Sequence, residues 1–459
     1  MEMRRIRWVG NADALVRAVT QLPDGFVLES SLQANGLGRF SFAGYGPLSE
    51  FIYRVEDSKA GELDPLKALE SWFAQYQTNE ELERFPFTGG AVGFLAYEAA
   101  VGWIPKVEML NIDPRIPLIE FKAYDGVFAY DHEDGSLHIL AHGWEEPAAD
   151  ILDRLEIFAK NAQISKPPRA MTKLALGEAV SNFTLESYSA AVEKARGYIR
   201  EGEVYQVNLA QRFEINAAGA TAFDIYERFR STTQAPYSAC LPFEGGHLLS
   251  CSPEQLLCRT GRRLTSRPIK GTRPRGTSAE NNAAQRKELS TSEKDRAELL
   301  MIVDLVRNDL GRIAETGSVE VSGLFNLETY PSVFHQTARV SALAAEGVGL
   351  ADCIEALFPG GSITGAPKLR AMQIINELEN TPRGAYTGAI GWLDPSGNFE
   401  FNIAIRTATL IDDCLSYHAG AGIVWDSNAA MEYTETLDKA AGFFRALDLS
   451  FPLTSGDLR

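Results

Sequence analysis

Several predicted strands of this chain come in groups joined by short turns, which restricts the sheets that it can form. Residues 252–276 predict a β-hairpin, and residues 386–426 predict three antiparallel strands with turns at PSGN and IDD. Strands joined by such short turns pair antiparallel, whereas parallel strands need long crossover connections. Helical patterns lie between the strand groups. We therefore expect an α+β fold with a large antiparallel β-sheet core, made of two packed sheets and covered by helices.

The predicted hairpin is strongly basic. Seven Arg or Lys residues and no acid lie between Cys258 and Gly276, although the whole chain has a formal net charge of −17. Such a local field attracts small anions into a cleft, but a run of like charges is also typical of a solvated surface. Lys270 stands out because Pro268 restrains the backbone before it and Gly271 frees the backbone after it. Neighbouring cations should lower the pKa of its amine, which would make Lys270 a usable nucleophile.

Composition argues against several classes of function. Asp and Glu together number 61 against 44 Lys and Arg, which argues against a nucleic-acid-binding protein. No run of eighteen apolar residues is present and the first residues lack a signal-peptide pattern, so we expect neither a membrane span nor export. The five cysteines include no C-x-x-C pair, which is typical of a reducing compartment, and we expect a cytoplasmic protein.

A possible linker divides the chain. The stretch AQISKPPRAMTKLALGEAV contains adjacent prolines and follows a helical pattern. We predict an N-terminal region at residues 1–175 and a catalytic domain at residues 176–459. If the N-terminal strands join the same body as the C-terminal strands, this boundary will be blurred.

Three glutamates on two predicted helices form a candidate metal site. Residues 292–313 predict a long helix, and Glu298 lies nearly two turns into it. Near the C-terminus, Glu432, Glu435 and Lys439 have the i, i+3, i+7 spacing that places all three on one helix face. Hard divalent ions such as Mg²⁺ prefer oxygen ligands of this kind. The alternative is that these residues form ordinary ion pairs on exposed helix surfaces.

Two further features predict anion binding. The loop PGGSITGAPK would deliver backbone N–H groups and hydroxyls, including that of Thr364, to the N-terminus of a helix, where anions bind readily. A tight turn between helices would explain the glycines of this loop but not its hydroxyls. Arg406 alternates with apolar residues in a predicted strand, so a buried guanidinium there would need an anionic partner.

Five segments, in their order along the chain, resemble the chorismate-utilising family. They are SPEQ, PIKGTR, LVRNDLGR, GSITGAPK and AGAGIVWDS. Several long motifs in one order are harder to meet by chance than a single short one. The resemblance implies the α+β fold of anthranilate synthase-like enzymes and chorismate as the substrate. FVLESS also resembles the region where some members bind tryptophan, although a buried strand explains this short match equally well.

The resemblance assigns roles to the residues that match the family's motifs. It implies that Glu298 and Glu435 hold Mg²⁺, with Glu432 close by, and that the ion binds the ring carboxylate of chorismate. Gln206 stands where water-adding relatives usually have a lysine, which argues against hydroxylation. Thr272 and His335 would line the ring, and Arg406, Tyr386 and Lys439 would hold the enolpyruvyl carboxylate. The residues implied to bind the substrate are Gln206, Gly271, Thr272, Thr364, Tyr386, Arg406, Gly420, Ala421, Gly422 and Lys439.

Lys270 distinguishes among the reactions of this family. Relatives that form anthranilate typically have alanine at this position, whereas relatives that aminate chorismate at carbon 4 have lysine. We therefore expect Lys270 to attack carbon 2 while Glu254, as general acid, protonates the departing carbon 4 hydroxyl. Ammonia would then attack carbon 4 and release the lysine, giving 4-amino-4-deoxychorismate, a precursor of 4-aminobenzoate and folate. His335 is a third catalytic candidate.

The chain contains no nucleophile motif of the G-x-C-x-G type. We therefore expect ammonia to come from a separate glutamine amidotransferase subunit. Two other interpretations remain open. The chain could aminate carbon 2 and eliminate pyruvate, forming anthranilate, or it could be a catalytically silent chorismate-binding or regulatory protein. The presence together of Lys270, Glu254 and the three glutamates counts against a silent protein.

Overall fold

The structure is a computed structural model of the chain, and it describes residues 1–32, 36–60, 64–78, 84–104, 111–164, 174–330 and 333–451. Half of the predicted linker, at 165–173, lies outside the described residues. The strands are β1 (Glu2–Ile6), β2 (Phe26–Glu29), β3 (Phe40–Gly44), β4 (Ser49–Tyr53), β5 (Gly90–Leu95), β6 (Ile119–Tyr124), β7 (Gly126–Asp131), β8 (Ser136–Ala141), β9 (Ala179–Ser181), β10 (Gln206–Asn216), β11 (Tyr237–Phe243), β12 (Gly246–Ser252), β13 (Gln255–Thr260), β14 (Arg263–Arg267), β15 (Ile269–Pro274), β16 (Glu320–Thr329), β17 (Val333–Leu343), β18 (Gly365–Ala366), β19 (Ala389–Leu393), β20 (Phe399–Asn402), β21 (Thr407–Ile411) and β22 (Cys414–Ile423). The α-helices are α1 (Asp13–Val19), α2 (Val55–Ala60), α3 (Pro65–Phe73), α4 (Ala148–Ile164), α5 (Leu185–Arg200), α6 (Ala222–Thr232), α7 (Ala279–Thr291), α8 (Glu293–Gly311), α9 (Leu350–Leu357), α10 (Gly361–Thr364), α11 (Lys368–Leu378) and α12 (Ala429–Ala446), and two 3₁₀-helices span Ala74–Tyr76 and Tyr97–Gly102.

The described strands form two large antiparallel sheets, which confirms the predicted fold class. The first sheet has twelve strands in the order β1-β8-β7-β3-β2-β11-β12-β21-β22-β10-β18, with β9 also paired to β10. The second has ten strands in the order β15-β17-β14-β13-β20-β19-β5-β6-β4, with β16 also paired to β17. Each sheet joins strands from both sides of residue 175, through the β2–β11 pair in the first and the β5–β19 pair in the second. The N-terminal and C-terminal regions therefore build one common β-sheet core.

Aromatic side chains fill the space between the two sheets. Phe26 on β2 and Trp392 on β19 both pack against Phe87, with ring centroids 6.4 Å and 5.4 Å apart respectively. Burying each such ring contributes roughly 1.5–3 kcal/mol. Helices α4, α6 and α12 pack on the first sheet and α8 packs on the second. Among the described residues, no helix is both long enough and apolar enough to cross a membrane.

Capping signals predict some helix starts correctly and miss others. Thr184 is the N-cap of α5 and forms a capping box, as its position before an apolar helical face predicts. The same reasoning predicts Ser427 as the N-cap of the last helix, but the Asn428 side chain caps α12 instead. The Ser427 hydroxyl donates to Glu432 Oε1 at 2.7 Å and so does not cap the helix.

The C-terminal strand group differs from its prediction. The structure has four strands there, β19 to β22, rather than three. Arg406, predicted within a strand, lies just before β21 with a φ of 49°. The chain leaves β20 at Asn402, and the Ile405 N–H donates to the Ile403 carbonyl oxygen at 2.7 Å. This local turn interrupts the strand although the alternation of residue types continues through it.

Candidate active site

The candidate acid and the candidate nucleophile meet at one serine. Glu254 lies directly before β13 and is buried, and Lys270 lies on β15 and is partly buried. Ser362, in the short helix α10, donates from its Oγ to Glu254 Oε1 at 2.9 Å, and its carbonyl oxygen accepts from Lys270 Nζ at 3.3 Å. The Ile269 N–H also donates to Glu254 Oε1, at 3.3 Å. The carboxyl and the amine are thus held by the same residue.

Burial favours the uncharged forms of both groups. It raises the pKa of Glu254, although hydrogen bonds to the carboxylate and the charge of Lys270 oppose the shift. Burial likewise lowers the pKa of Lys270, and the positive charge of Lys439 acts in the same direction, while Glu298, Glu254 and Glu435 oppose the shift. A protonated carboxyl can donate a proton and a neutral amine can attack carbon, so both shifts favour reactive forms.

Glycines allow close approach around Lys270. Gly271 forms a β-bulge opposite β17 with a φ of 72°, and a Cβ there would lie 2.7 Å from a methyl group of Leu289. On β22, a Cβ at Gly422 would lie 2.9 Å from Gln206 Nε2 and 3.9 Å from Lys270 Nζ. Gln206 and Gly422 belong to the first sheet and Lys270 to the second. The site therefore lies where the two sheets come together.

The three predicted metal ligands lie near a shared cation. Glu298 is on α8, and Glu432 and Glu435 are on α12. Lys294 Nζ lies 3.8 Å from Glu298 Oε1, and the charge of Lys294 also acts to lower the pKa of Glu432 and of Glu435. Glu298 and Glu435 in turn act to raise the pKa of Lys270. All three carboxylates thus interact with Lys294, and two of them, Glu298 and Glu435, also act on the Lys270 amine.

The donor set fits Mg²⁺, although the carboxylates are not grouped as a metal cluster. Among the residues that the structure describes, no three His, Cys, Asp or Glu side chains lie close enough together to hold a metal ion. Glu435 Oε1 instead pairs with Lys439 Nζ at 2.7 Å, and Glu432 accepts a hydrogen bond from Ser427. Carboxylate oxygens are the ligands that Mg²⁺ prefers, and here all three carboxylates interact electrostatically with the Lys294 cation. A change of side-chain rotamers would be needed to bring them onto one ion.

The end of β22 offers main-chain groups on one open edge. β22 pairs with β10 from Cys414 to Ile423, but it pairs with β21 only from Cys414 to Tyr417. Among the described strands, Gly420, Ala421 and Gly422 therefore have a neighbour on one side only. On the open side, Lys439 Nζ donates to the Gly420 carbonyl oxygen at 2.8 Å. Because N–H and C=O of one residue point to the same side of an antiparallel strand, the Gly420 N–H faces this open side too.

Two more predicted residues border this edge of β22. A Cβ at Gly420 would lie 2.9 Å from the Tyr386 hydroxyl and would also meet Asn208 Oδ1. Tyr386 is buried and stacks on His418 with ring centroids 5.0 Å apart. The Arg406 guanidinium forms no hydrogen bond or ion pair within the described part of the chain. A partly buried arginine of this kind can accept an anionic ligand.

His335 forms a hydrogen bond with Thr272. Its Nδ1 lies 2.8 Å from Thr272 Oγ1. Burial lowers the pKa of His335 to about 3, and the charges of Arg406 and Arg267 act in the same direction. The imidazole is therefore neutral at physiological pH. Its Nε2 is buried and has no hydrogen-bond partner among the described residues.

Two predicted residues have contacts that do not involve the Lys270 amine. Gln336, rather than His335, pairs with Lys270 in the ladder between β15 and β17. Because neighbouring residues on a strand project to opposite faces, His335 points away from the face that carries Lys270. Thr364 is buried, and its Oγ1 donates to the Gly360 carbonyl oxygen at 2.9 Å within its own loop. In this structure the Thr364 hydroxyl therefore stabilises the loop.

A buried ion pair fixes the backbone around the site. Arg383 Nη2 lies 2.6 Å from Glu379 Oε1. Arg383 also donates to the carbonyl oxygens of Asn208 at 2.9 Å and Ile363 at 3.0 Å, and Glu379 accepts from the Ala210 N–H at 2.8 Å. Asn208 and Ala210 lie on β10, and Ile363 lies in α10. The pair thus connects α11 to two elements that carry site residues.

The sequence patterns predict a different role for Ser362 and do not single out Arg383 or Glu379. Ser362 carries a recognisable signal, a hydroxyl in a glycine-rich loop, but that signal predicts anion binding and not a contact with Glu254. Arg383 and Glu379 have the i, i+4 spacing of an ordinary helix-surface ion pair. Their burial follows from contacts with β10 and α10, which no local pattern contains.

Comparison with known proteins identifies the family. The family described as chorismate binding enzyme matches residues 27–445. The chain is 39% identical over 425 residues to aminodeoxychorismate synthase component 1 of Bacillus subtilis strain 168, covering 90% of each chain. It is 36% identical over 462 residues to anthranilate synthase component 1 of Mycolicibacterium smegmatis, covering 93% of this chain and 86% of the relative. The crystal structure of anthranilate synthase component I from Streptococcus pneumoniae TIGR4 matches with a TM-score of 0.78 and 31% identity, over 90% of this chain and 93% of that one.

The chain therefore belongs to the chorismate binding enzyme family. This confirms the family predicted from the five ordered segments, and the match also covers most of the N-terminal region. The relatives include enzymes named for two different products, so membership alone does not identify the reaction.

Proposed function

We propose that the protein acts as an aminodeoxychorismate synthase component 1, adding ammonia to carbon 4 of chorismate. The observation that carries the proposal is the bridge at Ser362, which holds the Glu254 carboxyl and the Lys270 amine in one site. The environment shifts the pKa of Glu254 upward and that of Lys270 downward. A protonated acid beside a neutral amine is the combination that nucleophilic displacement of a hydroxyl needs.

The proposed reaction consists of two displacements. In the first, the neutral amine of Lys270 forms a bond to carbon 2, and Glu254 gives its proton to the carbon 4 hydroxyl, which leaves as water. In the second, ammonia forms a bond to carbon 4 while the bond between carbon 2 and Nζ breaks, returning its electron pair to Lys270. The Glu254 carboxylate takes up the proton lost by the new ammonium group. Covalent catalysis of this kind replaces one difficult step by two easier ones.

Two carboxylates of chorismate would be held by separate parts of the site. Glu298, Glu432 and Glu435 would hold Mg²⁺, which when bound would supply positive charge to the ring carboxylate. Arg406 and the open edge of β22 would bind the enolpyruvyl carboxylate. The lack of partners for Arg406 among the described residues and the position of Lys439 at Gly420 support this assignment.

Ammonia would come from a separate glutamine amidotransferase subunit. The sequence contains no G-x-C-x-G motif to supply a glutaminase nucleophile, and the Bacillus subtilis relative is named as component 1. Free ammonium should replace that subunit in vitro, because the amination site would bind ammonia whatever its source.

The Lys270→Ala variant tests the covalent route. With chorismate, Mg²⁺ and ammonium, we expect the natural protein to form 4-amino-4-deoxychorismate and the variant to be slower by at least about a thousandfold, since the nucleophile is gone. Products are identified by chromatography and mass spectrometry. Lys194→Ala is a matched control, because Lys194 is exposed and pairs with Glu377 on the surface. An unchanged rate in Lys270→Ala would reject the covalent route.

The second candidate function is amination at carbon 2 with loss of pyruvate, which forms anthranilate. It is favoured by the similarity to two anthranilate synthase chains, at 36% and 31% identity. The same assay separates the two candidates, because anthranilate is fluorescent and would appear without any added lyase. If calorimetry detects no chorismate binding in the presence of Mg²⁺, both candidates fail and a silent family member is the remaining interpretation.

A further inference from the structure

A buried carboxamide beside Lys270 has no role in the reaction as described so far. Gln336 lies on β17 and pairs with Lys270 in the ladder between β15 and β17. Paired residues of antiparallel strands project to the same face, so the two side chains are neighbours. Gln336 is 0% exposed, yet neither its Oε1 nor its Nε2 has a hydrogen-bond partner among the described residues.

Gln206 approaches the same amine from the first sheet. It begins β10, is 0% exposed, and its Oε1 and Nε2 are also without hydrogen-bond partners in the described part of the chain. A Cβ built at Gly422 would lie 2.9 Å from Gln206 Nε2 and 3.9 Å from Lys270 Nζ. The Gln206 amide and the Lys270 amine therefore lie close to the same residue of β22. Lys270 thus has an unpaired carboxamide on each of two sides, one from each sheet.

Unpaired buried amides are costly, and a nearby residue shows the usual alternative. A buried polar group without a partner destabilises the folded protein, and unpaired groups in a folded protein call for an explanation. Gln211, also on β10 and 0% exposed, is fully bonded. Ser181 Oγ donates to its Oε1 at 2.6 Å, and its Nε2 donates to Thr436. A glutamine that only packs should resemble Gln211, so Gln206 and Gln336 indicate a polar ligand between them.

We propose that Gln336, together with Gln206, forms the subsite that binds the incoming ammonia beside Lys270. This inference rests on the proposed function. Ammonia has three N–H donors and one lone pair, so carboxamide oxygens can accept its hydrogens while the lone pair remains directed at the substrate. The subsite serves the second displacement, in which the bond from ammonia to carbon 4 forms as the bond from carbon 2 to Lys270 Nζ breaks.

A neutral acceptor suits this purpose better than a charged one. A carboxylate in the same place would stabilise the ammonium ion, which has no lone pair and cannot attack carbon. A protonated lysine would present donors only, and these would bind the lone pair that ammonia needs to attack carbon 4. Carboxamides hold ammonia in its neutral form and carry no group that titrates near neutral pH. They also cannot act as a base, so they do not activate water in place of ammonia.

The test is the dependence of the rate on ammonium concentration. Gln336→Met keeps the length of the side chain and removes both polar atoms. We expect its KM for ammonium to rise about tenfold, the value of one or two lost hydrogen bonds, while its KM for chorismate stays within about twofold. Gln336→Asn keeps an amide on a shorter side chain, so its KM for ammonium should lie between those of Gln336→Met and the natural protein. The melting temperature of Gln336→Met should be unchanged or higher, because no bonded partner is lost.

Gln211→Met is the matched control, since it breaks bonds to Ser181 and Thr436. It should lower the melting temperature without changing the KM for ammonium. An unchanged KM for ammonium in Gln336→Met would overturn the inference, and so would an equal rise in the KM for chorismate. If the natural protein itself forms no amine from ammonium, the proposed function has failed, which is a separate result seen before any variant is made.

Discussion

Two cation–carboxylate pairs contact the short helix α10, and they differ in how completely they are bonded. Arg383 and Glu379 form a direct ion pair, and their remaining polar groups bond to main-chain groups of β10 and α10. Lys270 and Glu254 form no direct ion pair among the described residues. They are joined through Ser362, and Lys270 Nζ has only that residue's carbonyl oxygen as a hydrogen-bond acceptor in the described part of the chain.

The difference in bonding shifts the pKa values of the two cations in opposite directions. Burial acts to lower the pKa of Arg383, but Glu379 outweighs it and the pKa is raised. For Lys270, burial outweighs the nearby carboxylates and the pKa is lowered. A fully bonded pair keeps its charges and stabilises the surrounding backbone, whereas a sparsely bonded pair shifts towards neutral forms that can react. We therefore call Arg383 and Glu379 the scaffold pair, and Lys270 and Glu254 the reactive pair. The comparison predicts that the first pair controls stability and the second controls activity.

Breaking the scaffold pair should have the largest effect on the protein. In Arg383→Met, Glu379 would remain buried without its cation, and three further hydrogen bonds would be lost. We expect the free energy of unfolding to fall by about 3–5 kcal/mol, the usual cost of breaking a buried pair. Urea denaturation followed by circular dichroism measures it. Arg115→Met, which removes a half-exposed arginine paired with Asp113, should change stability by less than about 1 kcal/mol.

Removing the acid from the reactive pair should affect rate more than stability. Glu254→Gln keeps the shape of the side chain and its hydrogen-bond acceptor for Ser362 but cannot donate the catalytic proton. We expect the rate of amination to fall about a hundredfold or more, with little change in the KM for chorismate. Glu400→Gln is a control, because burial also raises the pKa of Glu400 but its partner is Gln255. Equal loss of rate in both variants would mean that Glu254 acts through the fold.

The sequence predicts the candidates of the reactive pair but not their connection. Lys270 and Glu254 stand in recognisable segments, and the hairpin between them forms as predicted, in β13 and β14. Ser362, which joins them, is 92 residues from Lys270 and 108 from Glu254. Contacts at such distances depend on how two sheets pack, and periodicity within a segment carries no information about them.

The roles of the residues of the scaffold pair and of the ammonia subsite could not be predicted from the sequence either. No residue type or spacing distinguishes Arg383, Glu379 or Gln336 in the sequence. Their roles depend on burial in the folded protein, which the local sequence does not reveal. The fold class could be predicted because short turns require antiparallel pairing. The register between β15 and β17 could not, since the bulge at Gly271 shifts the pairing by one residue. A shift of one residue exchanges the faces of a strand.

The reactive pair should also reduce stability, which gives the smallest predicted effect. The pKa of Lys270 in the folded protein lies below its ordinary value of 10.5. Between these two values the unfolded chain binds more protons than the folded one, so the free energy of unfolding rises with pH. Lys270→Met removes this dependence and should stabilise the protein by about 0.5–2 kcal/mol at neutral pH, while abolishing the proposed reaction. The gain, measured by urea denaturation at pH 7 and pH 10, should shrink at the higher pH, because Lys270 then also begins to lose its proton in the unfolded chain. Lower stability of Lys270→Met at pH 7 would mean that the lysine charge is well paired, and the contrast with Arg383 would no longer hold.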